Sequence, residues 1–230
     1  MKILSFFIPR GGRDILMFNC LLCSYLSYRK GRKVLAVDMG KPLYNLYGDR
    51  VRELALCRNV DSSTLYPIIR MDPGGEDIER FISSIPELSA LYDYVVINFP
   101  STFGSEDAIC RLVKMGLLDG VGVPIGVDGV KAALAAFTYR TLLSLGLAPM
   151  LFLYGIQSDT PHSTLEELRQ WFEKRDMKVS GSMIAGTYTS QTNTDCPLPI
   201  YSSTAYPTIP VGKLNPKLET LFEEFQNANL

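Results

Sequence analysis

Short apolar runs, each followed by a longer stretch with helical spacing, recur along almost the whole chain, and this alternation restricts the fold more than any other feature. Strand-like runs lie at residues 2–8 (KILSFFI), 33–38 (KVLAVD), 94–98 (YVVIN), 120–125 (GVGVPI), 150–155 (MLFLYG) and 178–184 (KVSGSMI). Helical patterns fall at 14–28, 75–83, 105–115, 129–145, 164–173 and 216–226. Strands and helices in alternation read as βαβ units around a parallel sheet. The expected fold is therefore α/β, a three-layer, doubly wound, mostly parallel sheet with helices on both faces. A chain of 230 residues suffices for one such domain. An irregular stretch at about 187–212, rich in Thr, Ser, Pro and Tyr, interrupts the pattern. Loops of that length inside a domain are functional or poorly ordered. A docking surface and a structural wrap around the last strand are equal readings of it.

Hydrophobic residues make up 47% of the chain and charged residues 20%, an ordinary globular composition. The net charge of -1 gives no overall footprint for nucleic acid, and the local cluster Arg29, Lys30, Arg32 and Lys33 reads as a solvated helix end. Five cysteines without a secretory signal fit a reducing cytoplasm. Cys20 and Cys23 lie on an apolar helix and read as core filler, not as a redox pair. The sole histidine, His162, falls in a loop ahead of a helix capped by Thr164 and Glu167, with no ligand partner at metal spacing. The longest apolar run, 15–28, is broken by Asn19, Ser24 and Ser27 and is shorter than the roughly 20 residues that cross a bilayer, so no membrane span is expected.

One segment carries the functional question. Residues 8–19, IPRGGRDILMFN, have the outline of a phosphate-binding loop: an apolar strand, two glycines and a helix. The run from Leu4 to Gly40 resembles the opening of the ParA/MinD family, the deviant Walker ATPases of plasmid partition and division-site positioning. That family's pattern is a strand, K-G-G-x-G-K-[ST]-[ST], a long helix, G-[KR]-[KR]-V and a strand ending in D-x-D. Arg10, Gly11 and Gly12 fall on K-G-G, GRKVLAVD falls on the second strand, and Asp38 falls on the first aspartate of D-x-D. Further on, LYDYVVINFP resembles the Walker B strand, with Asn98 at the aspartate and Pro100 at the proline. Similar strand and helix units continue to the C-terminal helix, so the resemblance spans nearly the whole chain.

The resemblance implies a nucleotide site at Arg10, Gly11, Gly12, Arg13, Asp14, Asp38 and Asn98, and it implies that the site is degenerate. Ile15 stands at the loop lysine and Leu16 at the magnesium-binding hydroxyl. Asp14 replaces a glycine; a carboxylate at a helix N-cap satisfies the free N–H groups itself, contributes about 0.5–2 kcal/mol and repels a triphosphate. The second D-x-D carboxylate is absent, since Met39 and Gly40 follow Asp38. Asn98 is a poorer outer-shell partner for magnesium than a carboxylate. Phosphoryl transfer rests on positioning and charge stabilisation, so no catalytic residue, no metal and no cofactor is expected.

Two functional readings follow, and a third keeps the sheet but changes the ligand. In the first, the chain is a pseudo-ATPase that acts as an interaction or regulatory component in DNA partition, conjugative transfer or positioning. Its partner is then an intact ParA/MinD-like ATPase or a second copy, and net charge lends nucleic acid no support. In the second, it is a divergent ATPase that binds Mg-ATP through Arg10, Arg13 and backbone N–H groups. In the third, a small anion other than a nucleotide sits at the carboxyl ends of the strands, the rim where open parallel sheets bind ligands.

Overall fold

The computed structural model describes residues 1–8, 15, 18–19, 21–23, 25–39, 66, 68–71, 76–99, 105–127, 129–156, 162–185 and 216–228. The expected loop at about 187–212 and the residues Arg10 to Asp14 lie outside them. Among the described residues seven strands form one sheet: β1 (Lys2–Phe6), β2 (Val34–Asp38), β3 (Ile68–Arg70), β4 (Tyr94–Asn98), β5 (Gly120–Gly126), β6 (Met150–Ile156) and β7 (Val179–Ala185). Their order is β3-β2-β4-β1-β5-β6-β7, and every pair is parallel. The expected doubly wound α/β architecture is present.

Five helices are described at full length: α1 (Glu76–Leu91), α2 (Ser105–Lys114), α3 (Gly129–Ser144), α4 (His162–Glu173) and α5 (Pro216–Ala228). A further helix follows β1 and includes Ile15, Phe18, Asn19 and 21–23; it runs into a π-helical turn at Tyr25–Arg29. Right-handed crossovers fix the layers. The chain moves one way along the sheet from β1 to β2 and the opposite way from β3 through β7, so the helix after β1 lies on one face and α1 to α4 on the other. α5 joins the helix after β1, with the Tyr25 and Phe222 rings 5.4 Å apart.

β4 and β5 are buried along their whole length, as strands covered by helices on both faces must be. On the face shared by α5 and the helix after β1, Phe6 is the centre of an aromatic cluster. Its ring lies 5.6 Å from those of Phe18 and Phe152, 5.8 Å from Phe222 and 4.8 Å from Phe225. Pro124 is tolerated inside central β5 because of where β1 stops. Gly122 accepts the Phe7 N–H, so residues 122 and 124 turn their peptide groups toward β1, which ends at Phe6. The missing Pro124 N–H is the next donor due to β1, so the proline ends that ladder and leaves the pairing of β5 with β6 intact.

Three differences from the sequence reading have physical causes. α1 runs on to Leu91 past Pro86, because Ile78, Phe81 and Leu88 keep one buried face on both sides of the proline. α4 begins at His162, which puts His162 inside the helix and Thr164 past the position of an N-cap. β3 is an additional edge strand of three residues, too short to show a period in the sequence. α2, α3 and α4 close alike. The residues that follow, Gly116, Gly146 and Asp176, take φ values of 65°, 93° and 59°, with the next N–H returning to a carbonyl five residues back.

A Cβ added at Gly122 would lie 2.3 Å from Cδ1 and Cε1 of Phe6, whose ring is enclosed by the cluster. Gly122→Ala is expected to lower the unfolding free energy by about 1–3 kcal/mol, read from urea denaturation. An unchanged midpoint would mean that the Phe6 ring is not held where the packing puts it.

Candidate functional site

The carboxyl ends of β2 and β4 bring Asp38 and Asn98 together. They are register partners at the last positions of adjacent parallel strands, so their side chains leave the same face of the sheet. Both are buried. The Asn98 Nδ2 group donates to Asp38 Oδ1 at 2.9 Å, and the strand ends are tied again by Met39 N–H donating to Asn98 O at 2.8 Å.

Asn19, on the helix after β1, extends this pair into a chain. Its Nδ2 group donates to Asn98 Oδ1 at 3.2 Å and to Phe6 O at 3.1 Å, and its Oδ1 accepts the Phe6 N–H at 2.7 Å. Each amide orientation follows from the next group along. A carboxylate only accepts, so the Asn98 NH2 must face Asp38; its oxygen then faces Asn19, whose NH2 must point there and whose oxygen meets the Phe6 N–H. A charged terminus and three strands, β1, β4 and β2, are joined by two neutral amides. Buried Ser5 adds a tie between β1 and β4, with Oγ donating to Ile97 O at 2.7 Å.

Of the seven sequence-derived site positions, Asp38 and Asn98 are thus in direct contact. Arg10, Gly11, Gly12, Arg13 and Asp14 lie outside the described residues. Ile15, aligned with the loop lysine, is 5% exposed and part of the hydrophobic core. Asn19 was visible in the sequence only as a polar interruption of an apolar run. An amide at 3% exposure must be hydrogen-bonded, and that requirement was the available signal.

The basic cluster at the end of this helix is held against α5. Arg29 Nε lies 2.8 Å from Glu219 Oε1, and Lys30 Nζ lies 3.1 Å from Glu223 Oε1. The Tyr25 hydroxyl shares Glu223 at 3.3 Å, and burial pushes its pKa above the usual range. Two of the four cations are therefore paired within the fold, which weakens a nucleic-acid reading of the cluster. Cys23 is buried in the core, as expected of filler. Among the described residues no group of His, Cys, Asp and Glu is placed to hold a metal ion. No described helix is long and apolar enough to cross a membrane.

Solved structures show where the fold recurs. A plasmid partition protein from Borrelia burgdorferi B31 bound to AMPPNP matches 100% of this chain and 99% of its own, with a TM-score of 0.61 at 13% identity. Cobyrinic acid a,c-diamide synthase from Mycobacterium smegmatis with ADP and magnesium matches 99% of this chain and 93% of its own, with 0.62 at 14%. MinD in the MinC:MinD cell division complex of Aquifex aeolicus matches 82% of this chain and 83% of its own, with 0.59 at 15%. The fold is accordingly the ParA/MinD-like, P-loop NTPase-like one, found in partition and positioning proteins. No family model matches the sequence, and neither does any curated protein.

Replacing Asn98 by Asp sets a second carboxylate against the one at Asp38. At neutral pH the Asn98→Asp variant is expected to lose on the order of 2–4 kcal/mol of stability. Like-charge repulsion raises the folded-state pKa of the new pair above its unfolded value. The pair's stabilisation is then complete below the unfolded carboxylate pKa and is lost as pH rises through the raised one. Denaturation at about pH 7 and about pH 4 should show the deficit against the parent protein shrinking in acid; a deficit independent of pH would place the two side chains apart.

Proposed function

We propose that this protein is a ParA/MinD-like pseudo-ATPase that serves as an interaction or regulatory component in DNA partition, conjugative transfer or positioning, in the cytoplasm. The observation that carries the reading is the bond from the Asn98 amide to Asp38. The Walker B position supplies a neutral donor already spent on the neighbouring carboxylate, where magnesium binding calls for an acceptor. Ile15 supports the same conclusion, since a core residue stands where the loop lysine is required. Leu16 and Asp14 add a missing hydroxyl and a resident anion at the sequence level. The partner on this reading is an intact ATPase of the same fold or a second copy, and the MinC:MinD complex is a precedent for such a fold working bound to another protein.

The nucleotides seen with the partition protein and with the diamide synthase favour one rival. In it, Arg10, Arg13 and backbone N–H groups hold Mg-ATP without the lysine. Calorimetric titration of the purified protein with Mg-ATP and Mg-ADP separates the two. The expected result is no saturable heat in the micromolar range and no phosphate release. Micromolar binding with turnover that disappears in Arg10→Ala would replace the pseudo-ATPase with the divergent ATPase.

A further inference from the structure

We draw no further inference here: the strongest candidate, the surface patch at the amino-terminal edge of the sheet where Leu91, Met115, Leu143 and Trp171 are exposed at or beside the ends of α1 to α4, carries nothing because nothing in the structure shows what covers it.

Discussion

The side-chain amide of Asn19 closes on the backbone of Phe6, accepting its N–H and donating to its carbonyl. This clamp fixes the helix after β1 in rotation and height against the central strand, and it brings the second amide proton to Asn98. From there Asn98 reaches Asp38, and β4 is locked to β2. Each group in the series is satisfied by the next, so a polar chain crosses a buried layer without an orphaned donor. In a low-dielectric interior such a chain is strong when complete and costly when broken anywhere. The Phe6 ring depends on it too, because the clamp holds the residue whose side chain organises the aromatic cluster over Gly122.

The two helical layers are finished differently. The helix after β1 is covered by the sheet on one side and meets α5 on another, where the Tyr25 ring, Arg29 and Lys30 engage Phe222, Glu219 and Glu223. Its described apolar residues, Ile15, Phe18, Leu21, Leu22, Cys23, Tyr25 and Leu26, are buried. α3 has the same all-round apolar composition, yet one side carries nothing described and leaves Phe137 in water. Similar sequences thus produce an interior helix in one layer and an open one in the other, and only tertiary packing distinguishes them.

Much of the architecture could be read from the chain because strands buried on both faces are written as unbroken apolar runs; YVVIN and GVGVPI are examples. β3 is not legible, since IIR is too short to carry a period. The sequence pattern ends at residue 83, whereas α1 continues to Leu91, since Ile78, Phe81 and Leu88 decide for it through burial. The capping pattern at Thr164 predicts a later start for α4 than His162, because the helix overruns it. At the site, Asp38 and Asn98 were legible as positions by resemblance. Their mutual hydrogen bond was not, for the separation of 60 residues between them hides which strands are neighbours. Asn19 was less legible still, as nothing in an apolar run announces the partner of a single amide.

The strand order has a consequence for synthesis. β1 is made before the other described strands, but its neighbours are β4 and β5, so it has no sheet partner until residues 94–98 have left the ribosome and no second one until 120–126 have followed. Throughout that interval KILSF has no sheet partner, the situation in which chaperones hold a growing chain. Pairing across such a distance also carries a loop-closure cost that slows the first productive encounter. A ribosome paused before residue 94 would therefore be expected to display an adhesive amino-terminal stretch, and one paused after residue 126 a chain able to start folding around its middle.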